Sequence, residues 1–145
     1  MSHSSDPNRK DTMKRVTGLG GMFFRSRDPK GTVDWYRTHL GIDAADWGGF
    51  AFQWLDKDRP TETGYTVWSA FPEDTDHFGP GGHDFMMNFR VADMDGVIEA
   101  LRADGVEVLG EIEEHPNGKF AWIKDPEGRK VELWEPVPSA EDPYL

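Results

Sequence analysis

Apolar residues along the chain change their period several times. Residues 17–26 are a Gly-rich apolar run broken by Asp28-Pro29, which predicts a strand. Residues 31–39 switch to helical spacing, with Val33, Tyr36 and Leu40 on one stripe and Gly41 as the stop. Residues 42–47, 49–55 and 63–71 read as three more strands, and Phe50, Phe52 and Trp54 alternate on one face of the middle one. The polar run DKDRPTETG turns between the last two. A loop-rich stretch, 71–82, follows, and the order then restarts. Residues 84–91 predict a strand, 94–103 a helix stopped by Gly105, and 106–112, 119–124 and 129–135 three strands, the last two joined by the turn signal DPEG.

The restart is a repeat. A shift of 65 positions aligns Met22/Met87, Phe24/Phe89, Arg25/Arg90, Asp28/Asp93, Gly31/Gly96 and Arg37/Arg102. Gly48/Gly118, Phe50/Phe120 and Ala51/Ala121 align at a shift of 70, and Trp68/Trp134 and Pro72/Pro138 at 66, a drift that loop insertions explain. Self-similarity at close to half the chain length indicates one structural unit written twice. Each unit reads βαβββ, which predicts an α+β fold with mixed, mostly antiparallel sheets and helices packed on one face. The expected organisation is a flexible polar leader over 1–14, a first module over 15–78, a second over 79–138 and a tail over 139–145. The two modules together form one domain.

Composition narrows the function. With 16 basic and 27 acidic residues the net charge is −11, which disfavours nucleic acid or an anionic membrane as partner. There is no cysteine, so disulfides, thiolate metal sites and thiol nucleophiles are excluded. No apolar run is long enough to span a bilayer, and the expected location is cytoplasmic. There is no G-x-S-x-G and no paired-His spacing, and the GLGG at 18–21 lies within a strand rather than before a helix.

DPKGTVDWYRTHLGI (28–42), FRVADMDGVIEALRADGVEV (89–108) and FAWIKDPEGRKVELWEP (120–136) resemble the vicinal oxygen chelate superfamily. That superfamily includes glyoxalase I, bleomycin-resistance proteins, extradiol dioxygenases and fosfomycin-resistance enzymes. The most specific of these pieces is DPEG-x-x-x-ELWEP, and together they span a frame of about 120 residues. The resemblance implies two βαβββ modules curled around a shared cleft, with a homodimer as the expected assembly. In metal-dependent members four ligands come from matching strand positions. Carried onto this sequence, those positions are Gly21, Thr66, Met86 and Glu132, with Thr66 assigned from the Trp68/Trp134 match. Only Glu132 is a good ligand for a first-row metal, because glycine has no side chain and hydroxyl or thioether donors are poor. The resemblance therefore implies no resident cofactor. A divalent ion stays open as a disfavoured alternative, recruiting His83, Asp84 or a partner subunit.

If Glu132 faces the cleft, so do Lys130 and Trp134. Gly21, Phe23 and Arg25 then share that side with Met86, Asn88 and Arg90, while Met22, Phe24, Met87, Phe89, Val131 and Leu133 face the helices. Glu132 is the candidate catalytic base, or a relic of a lost metal site bonded to Thr66 or Lys130. Arg25 and Arg90, as repeat equivalents, are expected near one another, where they could clamp a carboxylate or phosphate or simply pair with acids. Phe23, Phe50, Phe52, Trp54, Trp68, Trp122 and Trp134 could line an aromatic pocket or be ordinary sheet core. His39 caps a helix end, and His77, His83 and His115 fall in loops and read as solvated. Two functions remain open. One is a metal-free protein that binds a small, partly aromatic molecule in the cleft, with an anionic group on it an open feature. The other is a lyase or isomerase of the glyoxalase type, dioxygenase chemistry being disfavoured.

Overall fold

The computed structural model describes residues 15–145, and the leader over 1–14 lies outside the described residues. Among them run β1 (Val16–Ser26), α1 (Pro29–Leu40), β2 (Gly49–Leu55), β3 (Thr63–Pro72), β4 (Phe85–Val91), α2 (Met94–Ala103), β5 (Val108–His115), β6 (Gly118–Lys124) and β7 (Lys130–Pro136). The strands form one mixed sheet in the order β2-β3-β1-β4-β7-β6-β5. β1 pairs antiparallel with β4 at its centre, and each is flanked by a parallel neighbour, β3 or β7.

The repeat is a pseudo-twofold axis through the β1/β4 pair. Met22 pairs with Met87, Phe23 with Met86 and Gly21 with Asn88, so residues 65 apart exchange places about Met22/Met87. The repeated Asp and Gly have a local cause. Asp28 and Asp93 cap the two helices by accepting from the amides of Gly31 and Gly96, each at 3.1 Å. A Cβ at either glycine would collide with the capping carboxylate, so the cap and the glycine are required together. Gly41 then ends α1 in the left-handed region at φ 70°.

Both helices cover one face of the sheet. Val33 of α1 packs with Ala44, Ala70, Phe24 and Trp68. Val97 and Ile98 of α2 pack with Val91, Ala121, Val131, Leu133 and Phe89. The equivalents Phe24 and Phe89 thus plug the same position under each helix, while Leu40 points outward.

Three features depart from the sequence reading. Residues 42–47 form no strand. Ala44 is buried under α1, Arg37 donates to its carbonyl at 2.9 Å, and Ala45 and Gly48 close a turn instead. The run IDAADW lacks the β-branched alternation that would hold it in a sheet. The segment after β7 is not loose. It makes a 3-10 turn over Ser139–Glu141 and lands on the first half of the sheet. β1 is irregular, with register shifts between Val16 and Gly18 and between Leu19 and Gly21.

Candidate functional site

The face opposite the helices holds a cavity of about 370 Å³. Ala51 of β2 and Phe120 of β6 both line it. Those strands stand five places apart in the sheet, roughly 24 Å if it were flat, so the sheet curls around the cavity. Residues from both repeats line it.

Its floor is set by register. Asn88 of β4, Glu132 of β7 and Trp122 of β6 are direct cross-strand neighbours. They therefore point to the same side in one row. Glu132 is 5% exposed and collects three contacts. Asn88 Nδ2 donates to Oε2 at 2.6 Å and Trp122 Nε1 to Oε1 at 2.9 Å. The ring of His77 reaches Oε1 at 3.3 Å. Bonding to a carboxylate fixes the Asn88 amide orientation, which leaves its Oδ1 buried without a partner beside Gly20. A Cβ at Gly20 would strike that oxygen, so this glycine is what lets Asn88 reach the floor.

One step along the sheet lies a second row, Arg90, Trp134 and Phe120. Trp134 stacks on Phe120 at 5.8 Å, meets Tyr65 edge-on at 5.2 Å and donates to the Asn117 carbonyl at 2.9 Å. Arg90 is 5% exposed and lies 4.7 Å from the Trp134 ring, 5.2 Å from Tyr65 and 5.5 Å from Trp54. Its Nε and Nη1 have no hydrogen-bond partner. Burial lowers its pKa, and the nearby Tyr65, Asp142 and Asp56 oppose that shift. Tyr65 moves the other way. Burial and its hydrogen bond to Asp142 push the phenol well above its ordinary range.

The structure brings Phe23, Asn88, Glu132 and Trp134 to the cavity. Met86 and Trp122 lie beside it, packed with Phe23, Phe71 and the loop residue Phe78, which is 1% exposed. Five expected residues are elsewhere. Phe52 and Thr66 pair across β2 and β3, as do Phe50 and Trp68, so they share the helix-side face, where Trp68 packs on Phe24 and Tyr36. Trp54 belongs to the same end of the sheet and donates to the Thr66 hydroxyl. The Trp68/Trp134 match misled the reading. The register equates Phe23 with Asn88 and pairs Phe23 with Ser69, so the counterpart of Glu132 is Ser69, three residues beyond Thr66. An odd offset turns a strand residue to the opposite face.

The expected anion clamp does not form. A twofold axis inside an antiparallel pair sends equivalent residues to opposite ends, so Arg25 and Arg90 are separated by roughly 20 Å of strand. Arg25 instead ties down the loop after β3, donating to the carbonyls of His83, Glu73 and Thr75 at 2.6–2.8 Å. His83 and Asp84 lie at that end, while His77, read as solvated, touches Glu132.

The metal positions do not fit an ion. Gly21 has no side chain, Met86 is sealed among apolar side chains and Thr66 bonds Leu19 on the other face. Among the described residues no three His, Asp or Glu converge as metal ligands. His77, Tyr65, Phe120, Phe78, Trp47 and Tyr144 were absent from the sequence reading of the site. Four of them, Trp47, His77, Phe78 and Tyr144, lie in irregular segments, where strand alternation gives no signal.

A sequence model of the Glyoxalase/Bleomycin resistance protein/Dioxygenase superfamily matches residues 18–133. The chain belongs to this superfamily. Its fold is also that of solved methylmalonyl-CoA epimerases. The enzyme from Mycobacterium tuberculosis is 23% identical, with 90% of this chain and 96% of that one covered at a TM-score of 0.59. A Streptomyces coelicolor enzyme in complex with 2-nitronate-propionyl-CoA is 18% identical, with 84% and 99% covered at 0.62. A methylmalonyl-CoA epimerase in complex with methylmalonyl-CoA and NH4+ is 18% identical, with 88% and 99% covered at 0.63. Among curated proteins none matches the chain. No helix among the described residues is long and apolar enough to cross a membrane.

Proposed function

We propose that this superfamily member is a binding protein for a small, partly aromatic molecule that carries a hydrogen-bond donor or a positive charge, held in the cavity above Glu132 without a metal. One observation carries the reading: among the described residues lining the cavity Glu132 is the sole formally charged one, and apart from Asn88 and Asn117 its surroundings are apolar or aromatic. Asn88 and Trp122 each aim a donor at it, and the carboxylate oxygens are the charged acceptors of the floor. A ligand ammonium or amide N–H would gain a charge-assisted bond there, and its flat part would lie against Phe23, Trp134 and Tyr65. The sequence left an anionic ligand open, and the dispersal of Arg25 and Arg90 removes the argument for it.

An isomerase or lyase with Glu132 as base is the second reading, favoured by the His77 contact at 3.3 Å, which gives the carboxylate a proton partner. Against it, Asn88 and Trp122 already donate to both carboxylate oxygens that would have to take the substrate proton. The carboxylate of a methylmalonyl group would also meet Glu132 with no cation among the described residues lining the cavity.

The test is calorimetric titration with three isosteric probes: 2-naphthylmethylamine, 2-naphthylmethanol and 2-naphthoate. The amine is expected to bind at least about tenfold tighter than the other two. Glu132→Gln should erase that preference while the protein stays folded. Tighter binding of the naphthoate would overturn the reading. Incorporation of solvent deuterium into methylmalonyl-CoA by the wild type, lost in Glu132→Gln, would move it to the second.

A further inference from the structure

We propose that the segment after β7 completes this pocket, with Tyr144 as a binding residue at its mouth and Asp142 as the residue that positions it. The proposal rests on the ligand-binding reading of the cavity.

The chain leaves β7 in the second repeat and crosses to β3 in the first. The Thr63 amide donates to Ser139 Oγ at 2.7 Å, and the Ser139 amide to Glu62 Oε1 at 3.0 Å. Asp142, 6% exposed, then divides its carboxylate between two tasks. Oδ2 accepts from the Tyr65 hydroxyl at 2.7 Å, and Oδ1 from the Tyr144 amide at 2.8 Å. Tyr65 is a buried wall of the cavity, so one carboxylate couples an inner wall to an outer one.

Tyr144 and Trp47 line the cavity yet are 63% and 54% exposed. They are the solvent-facing aromatics of its lining, above the buried rings of Phe23, Tyr65 and Trp134. An aromatic side chain anchored by its backbone but free of core packing can swing aside at low cost and cover a flat ligand once it has entered. The site thereby favours planar groups over bulky saturated ones, and dissociation requires Tyr144 to lift away.

The experiment uses the full chain, 2-naphthylmethylamine as probe, and the variants Tyr144→Phe, Tyr144→Ala and Asp142→Ala. Tyr144→Ala should weaken the probe roughly tenfold through faster dissociation, and Tyr144→Phe should bind as wild type does. Asp142→Ala should show at least that loss, because it also frees the Tyr65 hydroxyl, and the double variant should lose no more than Asp142→Ala alone. A purely structural Asp142 would lower the melting temperature without changing the dissociation rate. Amide hydrogen exchange at residue 144 should quicken in Asp142→Ala and not in Tyr144→Ala. Probe affinity of Tyr144→Ala within about twofold of wild type would overturn the proposal. If the wild type binds none of the three naphthyl probes, the ligand reading fails by itself. Exchange at residues 63 and 144 then decides: slow exchange supports the wall and fast exchange overturns it.

Discussion

Replacing Arg90 by Met tests how a cation can lie buried without a partner. The side chain is 5% exposed, and two of its nitrogens donate to nothing. Each unpaired buried donor costs about 1–3 kcal/mol, and dehydrating the cation costs several more. Against this stand three aromatic rings, at 4.7, 5.2 and 5.5 Å, each worth about 0.5–2 kcal/mol when water is excluded. The charges of Asp142 and Asp56 help from a distance. The costs equal or exceed the gains, so the buried charge adds little or nothing to stability. Methionine keeps the apolar stem against Trp134 and Tyr65 and removes both the dehydration cost and the cation–π gain. Arg90→Met should therefore lower unfolding free energy by no more than about 1 kcal/mol, or about 2–4 °C in melting temperature for a chain of this size. Arg90→Ala, which also loses the stem, should cost about 3 kcal/mol. Urea unfolding followed by tryptophan fluorescence measures both. A loss of about 3 kcal/mol or more in Arg90→Met would refute the reasoning, because that is the mark of a broken buried ion pair.

Other expectations follow from the same geometry. Gly20→Ala places a Cβ against Asn88 and within 3.1 Å of Arg90 Cγ, and should cost at least about 2 kcal/mol by thermal unfolding. Trp68→Leu should destabilise the α1 side by about 2–3 kcal/mol yet leave naphthylmethylamine affinity unchanged, since Trp68 faces the helix. Burial raises the Tyr65 pKa, so above about pH 10 the unfolded chain releases a proton the folded one keeps. Stability should fall as pH rises through that range, and Tyr65→Phe should flatten this part of the profile.

The duplicated frame was readable because its causes are local. Asp28/Gly31 and Asp93/Gly96 are cap pairs, Phe24 and Phe89 are the same plug under two helices, and DPEG is a turn. Glu132, Asn88, Phe23 and Trp134 were placed at the cavity side by counting alternation along single strands, which holds as long as no residue is inserted. Counting failed between strands. Trp68 and Trp134 match in letters but not in parity, and only the β1/β3 and β4/β7 registers reveal it. The Arg25/Arg90 error is of another kind, since a repeat does not state the direction in which its copies run. His77 and Tyr144 reach the cavity region from loop and tail, where hydrophobic period carries no information.

The account stands on a ligand occupying the hollow beside the Glu132–Trp122 hydrogen bond. Titration of 2-naphthylmethylamine into nitrogen-15-labelled protein, observed at the six tryptophan indole N–H signals, reads that directly. The signals of Trp122, bonded to Glu132, and of Trp134, in the cavity wall, should shift, while that of Trp35, exposed on α1, stays fixed. Movement of Trp35 with Trp122 and Trp134 unmoved would contradict the account.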